Sequence, residues 1–335
     1  MNTVHKVILD TDPGIDDAMA IAYAVAHPQI DLLALTTVFG NVGVDIASRN
    51  AQYILDVLGA STVDVARGAS VPIVQAPLPH SEFVHGDDGI GNCYPREPAQ
   101  LNAAAKHAGL HALSAADYII EQARAQPGEI SLIAVGPLTN VALALAKEPE
   151  LPDLLKQLIV MGGAVDEPGN VTPLAEANFF NDPHAADQLL SRDWPMVIVG
   201  LDVTHQVMIT DTHLAKLRDN AGKTGDFLWR TSRFYIDFYT NKGAAQNAQE
   251  PQCAMHDAAA VVYLVEPDAF VLESGSARVI DTGIAAGQLA FDRKGYQYAT
   301  DHWSNRPTTS SACMGVDAKR VLDSFINHII DHRNT

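Results

Sequence analysis

Val7-Ile8-Leu9-Asp10-Thr11-Asp12-Pro13-Gly14-Ile15-Asp16-Asp17-Ala18-Met19-Ala20-Ile21-Ala22-Tyr23-Ala24 sets the pattern for the whole chain. Val7-Ile8-Leu9 is an apolar run of the length a short buried strand needs. Pro13-Gly14 turns the backbone. From Asp16 the sequence becomes helix-like, with Asp at the cap and acid in the first turn, where the helix dipole favours negative charge. The same order then recurs. A strand over Asp31–Val38 ends in Gly40-Asn41 and is followed by a helix over Ile46–Leu58, closed by Gly59. A strand over Ile130–Val135 turns at Gly136-Pro137 into a helix over Leu138–Ala146. A strand over Gln157–Met161 runs into Gly162-Gly163, a later helix starts at the Asn181-Asp182-Pro183 cap, and Met196–Val199 is a further strand. Repeated strand–turn–helix units predict an α/β fold, a mostly parallel (mixed) central sheet flanked by helices on both faces.

The rest of the chain is less regular. Residues 210–265 read as mainly helical, 269–301 as two or three strand-like pieces, and Asp317 to Ile330 as a final helix. Pro72–Ala99 has no periodicity, and its glycine-rich turns lie within His85-Gly86-Asp87-Asp88-Gly89-Ile90-Gly91-Asn92. Long loops of this kind commonly serve as lids or binding loops, with exposed irregular chain as the plainer alternative. The 335 residues would suit about two domains at ~150 residues each, yet α/β folds of this size often form one. No linker, repeat or low-complexity tract interrupts them, so residues 1–335 are expected to form a single domain.

Composition narrows the class. With 47% hydrophobic and 19% charged residues, the chain reads as a soluble globular protein. No apolar run approaches the ~18–20 residues of a membrane span. Met1 to Leu9 lack a basic stretch followed by a long apolar one, so no signal peptide is expected. Cys93, Cys253 and Cys313 are odd in number and form no CxxC pair, which fits a reduced, cytoplasmic protein better than a disulfide framework or zinc site. Against 40 Asp and Glu stand 22 Lys and Arg, a net charge of −18. So acidic a chain repels phosphate backbones and anionic membranes, which argues against nucleic-acid polymers and lipid surfaces as partners.

The chemistry concentrates in four aspartates within eight residues: Asp10, Asp12, Asp16 and Asp17. Asp10 and Asp12 are two apart at the carboxyl end of a strand, and so share a side if strand geometry persists. Ligands in open α/β sheets bind outside such strand ends. Carboxylates this close either raise their pKa values or bind a cation, and an all-oxygen set favours Ca²⁺ or Mg²⁺ over zinc. A helix cap with solvated acids explains Asp16 and Asp17, but it fits Asp10 and Asp12 poorly, because no Lys or Arg lies between Val7 and Ala26. Other motifs are weaker alone. Thr36-Thr37-Val38-Phe39-Gly40-Asn41 places an amide at a strand end, or simply a turn-forming Asn. Val135-Gly136-Pro137-Leu138-Thr139-Asn140 offers a backbone carbonyl beside a tight turn. Met161-Gly162-Gly163 permits close approach of backbone to ligand, or a sharp turn. Glu176-Ala177-Asn178 could supply hydroxyl-binding groups or belong to a surface loop. His256-Asp257 at a helix start reads on its own as a cap and its neighbour. Phe234, Tyr235, Phe238 and Tyr239 fall at helical spacing and read as core packing.

Taken together, these motifs resemble the calcium-dependent nucleoside hydrolases, the inosine–uridine-preferring ribonucleoside hydrolase family. The resemblance starts with Asp10-Thr11-Asp12-Pro13-Gly14-Ile15-Asp16-Asp17-Ala18 and continues in family order to His256-Asp257. It implies that family's fold and hydrolysis of the N-glycosidic bond of ribonucleosides to ribose and free base. It implies Ca²⁺ held by Asp12, Asp17 and Asp257 and by the main-chain oxygen of Val135, with Asp10 behind them. Asp12 would take the proton from a calcium-bound water, and His256 would protonate the departing base. Asp16, Asn41, Asn170, Glu176 and Asn178 would hold the ribose, with Met161 and His85 completing the substrate-binding set. By the same resemblance the protein would be a homodimer or homotetramer acting in purine and pyrimidine salvage, with a small-molecule ribonucleoside as its partner. The chain departs from the family in having Ala177 where many members carry an aromatic, and one extra residue in the loop Asp166-Glu167-Pro168-Gly169-Asn170. A haloacid-dehalogenase-like phosphatase also places Asp-x-Asp after its first strand, but Pro13-Gly14 and Asp16-Asp17 do not fit that pattern. A catalytically silent nucleoside- or calcium-binding protein on the same fold is the alternative from another class.

Overall fold

The computed structural model describes residues 3–95, 109–242, 248–300, 303 and 309–332, so the end of the Pro72–Ala99 segment lies outside the described residues. The first strand, β1 (His5–Thr11), is central and carries Val7, Ile8 and Leu9 fully buried. Its side chains alternate between two cores. Val7 and Leu9 join one apolar cluster and Ile8 the other, as the period-2 geometry of a strand between two helical layers requires. β2 (Ile30–Thr37) and β4 (Ile130–Ala134) pair with β1 in parallel on either side. β3 (Asp64–Arg67) extends the sheet beyond β2. On the other side follow β5 (Gln157–Met161), β6 (Met196–Val199) and β11 (Ser310–Val316), all parallel. Two antiparallel strands, β9 (Phe270–Val279) and β10 (Leu289–Asp292), finish that edge. The nine-stranded order is β10-β9-β11-β6-β5-β4-β1-β2-β3.

This is the mixed, mostly parallel sheet expected of the sequence, and the fold is a single α/β domain. Strand order reverses at β1, because the chain moves to β2 and β3 on one side and then to β4, β5 and β6 on the other. A crevice opens at such a reversal, outside the carboxyl ends of the strands. The helix that leaves β1, Ile15–Ala26, is apolar on nearly every face and almost wholly buried, as is the facing helix His256–Val265. All-round apolar helices belong inside a protein. At the predicted Asn181-Asp182-Pro183 cap, the Asp182 side chain accepts from Ala185 N at 3.1 Å, and Pro183 opens the helix Pro183–Leu190.

The structure differs from the sequence reading in several elements. The 210–265 region is helical over Asp211–Asn220 and Gly222–Lys242, but it also holds β8 (Gln252–Ala254), which pairs antiparallel with β7 (Met208–Thr210). Within the Pro72–Ala99 segment a short helix, Glu82–His85, brings His85 inward to 5% exposure.

Candidate active site

The carboxyl ends of β1, β2, β4 and β5 deliver the motifs to one place. Asp10 pairs in register with Thr36 of β2 and Ala134 of β4. Its Oδ1 accepts from Thr36 Oγ1 at 2.5 Å and Asn140 Nδ2 at 2.8 Å. Asp17, three residues past Gly14, closes back on the turn. Its Oδ2 accepts from Gly14 N at 2.8 Å and Asn41 Nδ2 at 3.1 Å, and its Oδ1 from Thr11 Oγ1 at 2.5 Å. The turn is thus held open around Asp12 and Asp16. Asn41 also donates its backbone N–H to Asp12 Oδ2 at 2.6 Å, so it does more than form a turn.

All four acids, and Asp257 from the start of the His256–Val265 helix, are buried. Carboxylate oxygens of Asp16, Asp17 and Asp257 lie within 4.8 Å of one another. Asp12 stands beside this trio and not within it. Among the described residues, Asp12 Oδ1, Asp16 Oδ1 and Asp10 Oδ2 have no hydrogen-bond partner despite complete burial. Burial raises the Asp10 carboxyl to about 7. Burial and the nearby Asp17 raise Asp16 to about 8. Asp12 and Asp257 are pushed well above the usual carboxylate range by burial first, then by the neighbouring aspartates. So many uncompensated acids in one buried spot are costly unless protons or a cation relieve them. An all-oxygen set of this kind suits a hard divalent ion.

Above the acids opens a cavity of about 320 Å³, within the size range of sites for small organic ligands. Each residue expected to hold substrate lines it: Asp16, Asn41, Met161, Asn170, Glu176, Asn178 and His85. Among the described residues on its walls there is no Lys or Arg. Glu176 is buried, not part of a surface loop. Its Oε1 accepts from Asn178 N at 2.8 Å and its Oε2 from Gly163 N at 2.9 Å, and burial raises it to about 7. The glycine pair at the end of β5 makes that approach possible. A Cβ on Gly162 would stand 2.5 Å from the Phe179 ring. Asn178 Nδ2 donates to Val135 O at 2.8 Å and Met161 O at 3.1 Å, so the Val135 carbonyl reaches the site with one lone pair already used. Asn170 is exposed, and its Oδ1 accepts from Ala177 N at 3.0 Å.

His256 is buried between two hydroxyls, with Nδ1 2.7 Å from Thr204 Oγ1 and Nε2 2.7 Å from Tyr239 Oη. Burial, with His205 and His85 nearby, pulls the ring down to about 3. It is therefore neutral at pH 7, where a solvent-exposed imidazole would be partly charged. His85 is likewise brought to about 3 by burial. Its Nδ1 accepts from Ile15 N at 3.2 Å, which leaves Nε2 as the protonated nitrogen. The ring stacks on Tyr235 at 5.4 Å.

Sequence reasoning missed Tyr235, Phe238 and Tyr239 as site residues. Helical spacing placed them on one face, but that face borders the cavity as well as the core. Thr204 was missed too, although Gly200-Leu201-Asp202-Val203-Thr204 is a polar strand end like those that were noticed.

Comparison with known proteins gives the family. Residues 7–323 match the model of the family described as inosine-uridine preferring nucleoside hydrolase. A protein of Oryza sativa subsp. japonica described as probable uridine nucleosidase 2 is 36% identical over 321 residues, covering 96% of this chain and 91% of its own. A solved plant nucleoside hydrolase, PpNRh1, superposes with a TM-score of 0.89 at 35% identity, covering 97% of this chain and 99% of that one. A purine-preferring ribonucleoside hydrolase from Gardnerella vaginalis gives 0.87 at 32% identity, covering 98% and 99%. The chain therefore belongs to the inosine–uridine preferring nucleoside hydrolases, and it is an enzyme that cleaves ribonucleosides at the N-glycosidic bond.

Proposed function

We propose that this hydrolase works with Ca²⁺, which Asp12, Asp17, Asp257 and the Val135 carbonyl would hold, leaving Asp16 on the cavity wall to bind the ribose. The observation that carries this reading is the pair of buried, unpartnered oxygens, Asp12 Oδ1 and Asp16 Oδ1, beside two further buried acids. Calcium accepts six to eight oxygen ligands in flexible geometry, which suits crowded carboxylates and a carbonyl better than the strict octahedron of Mg²⁺. When bound, the ion acidifies water and neutralises part of the acid cluster.

The chain's own groups supply the rest. Asp12 is anchored through Oδ2 by the Asn41 N–H and takes the proton of the attacking water at Oδ1. Asp17, bonded at both oxygens, keeps the turn rigid. Asp16, Asn41, Asn170, Glu176 and Asn178 bind the ribose hydroxyls, with Met161 on the wall below. Acids in excess of the ion's charge stabilise the oxocarbenium-like transition state. At the base, neutral His85 donates from Nε2, and His256 acts through its bond to the Tyr239 hydroxyl rather than as a free imidazolium. Phe83 and Phe238, with ring centroids 6.0 Å apart, offer the base an aromatic wall. The protein acts in the cytoplasm as a homodimer or homotetramer that recovers bases from nucleosides.

A panel of ribonucleosides assayed for base release, with and without chelation, tests this reading. Chelation should abolish turnover and added Ca²⁺ restore it, with calorimetry on the stripped protein showing one Ca²⁺ site that Asp257→Asn weakens. Undiminished base release after chelation would overturn the metal role. His256→Ala should slow release of the base, and an unchanged rate would remove His256 from the mechanism.

A further inference from the structure

The polar strand end that carries Thr204 holds a second group, Asp202, with no part in the roles assigned above. Gly200-Leu201-Asp202-Val203-Thr204-His205 follows β6, with Leu201–Thr204 a single helical turn. Its Asp202 carboxylate accepts three consecutive backbone N–H groups from a distant segment. Val165 N reaches Oδ2 at 2.8 Å, and Asp166 N and Glu167 N reach Oδ1 at 2.7 and 3.0 Å. Successive N–H groups converging on one carboxylate fix the backbone angles of the segment that donates them.

That segment begins the loop that carries Asn170. The far end of the loop is fixed as well, since Ala175 bridges to Gln288 and Val171 N bonds Ala175 O at 3.2 Å. Between these anchors the turn is so tight that a Cβ on Gly169 would stand 2.3 Å from Ala175 O. From outside, Arg293 donates to the Asp166 carboxylate at 2.7 and 3.0 Å and to Glu273 at 3.2 Å. Asn170 thus reaches the cavity on a loop whose entry depends on Asp202. Asp202 itself is not among the residues lining the cavity.

We propose that Asp202 is a positioning residue for substrate affinity: its grip on residues 165–167 sets where Asn170 meets the ribose. The inference rests on the ribonucleoside reading of the site and on Asn170 as a ribose contact. A hydroxyl contact made alike in the ground and transition states appears in KM and spares kcat. Loosening the loop should therefore act on KM, and chiefly through Asn170, the polar group that the loop brings to the cavity beside Val171.

A double-mutant cycle on the calcium-loaded full chain, with uridine and inosine as substrates, tests this. Asp202→Asn keeps the shape but turns an amide N–H₂ toward donors. It should raise KM by ~10-fold and change kcat by less than about threefold. Asn170→Ala should raise KM similarly, and the double variant should be no worse than the worse single. Multiplying effects, or a fall in kcat at unchanged KM, would overturn the proposal. If Asn170→Ala alone leaves KM unchanged, the ribose contact is wrong and the proposal falls with it. If the wild-type chain releases no base from either nucleoside, the functional reading itself fails, which is a separate and recognisable result. Should Asp202→Asn fail to fold, Arg293→Met loosens Asp166 from the other side and should raise KM about threefold, again without adding to Asn170→Ala; an unchanged KM would count against the proposal.

Discussion

Five acids crowd the site, and their hydrogen bonds divide the labour among them. Asp17 accepts N–H and O–H donors at both oxygens; Asp10 has one oxygen tied to Thr36 and Asn140 and the other unpartnered behind the strand end; Asp12 and Asp16 each keep one oxygen free beside the cavity. A free, fixed oxygen is what a general base needs. Asp12→Asn should lower kcat at least ~10²-fold, measured as base release from a saturating ribonucleoside, while calorimetry shows Ca²⁺ bound with weakened affinity. Near-normal turnover with the ion bound would remove Asp12 as the base. The aspartates were legible in the sequence because no Lys or Arg lies near enough along the chain to neutralise them. The partners of His256 were not. Thr204 and Tyr239 are 52 and 17 residues away from it and converge only through the fold. A lone His next to an Asp carries no trace of the burial that keeps it neutral.

At the level of elements, the turns after the strands matter as much as the strands. Gly40 in the turn after β2 packs directly on the base, since a Cβ there would lie 2.0 Å from Asp12 Oδ2 and 2.9 Å from Pro137 Cδ. Gly40→Ala must push the Asp12 carboxylate off the Asn41 N–H. Turnover should fall to the level of Asp12→Asn, while the far-UV circular dichroism of the folded chain keeps its shape, because the displaced group is a buried side chain and not a strand. An active Gly40→Ala variant would show that Asp12 has slack the packing denies. The strand–turn–helix units were readable because each pairs an apolar run with a Gly or Pro turn. Met208–Thr210 and Gln252–Ala254 were not readable, since three residues are too few to show a period. Strand Ser310–Val316 was hidden by its small and polar residues, Ser310, Ser311 and Gly315. The helix Gly222–Lys242 was visible, but periodicity shows only that its aromatic face is covered, not whether protein or substrate covers it.

The whole molecule is polar along its strands, with the acids at the carboxyl ends and a histidine cluster at the amino ends. The net charge of −18 and a cavity whose described walls hold no Lys or Arg make a phosphate an unwelcome substituent. Uridine 5′-monophosphate should be cleaved with kcat/KM at least ~10²-fold below uridine, and comparable values would refute the electrostatic picture. At the opposite end His27 caps the Ile15–Ala26 helix. Its ring lies 4.1 Å from that of His328 and 5.2 Å from that of Tyr23. Its Nδ1 accepts from Gln29 N at 3.2 Å. Burial, then His328 and His5, pull it down to about 4. His5 is itself lowered by burial and Lys156, and Tyr23 faces Glu266. An unfolded histidine titrates near 6.5, so between about 4 and 6.5 the unfolded chain binds a proton that the native one refuses. Stability is then present above pH 6.5 and is lost as pH falls through that window. Lowering the pH from 7 to 5 should reduce the melting temperature of the chain by about 2 °C through this residue, and His27→Gln, which cannot titrate, should flatten that part of the dependence. Scanning calorimetry of both proteins in matched buffers reads the difference directly, and parallel pH profiles would place the acid sensitivity elsewhere in the molecule.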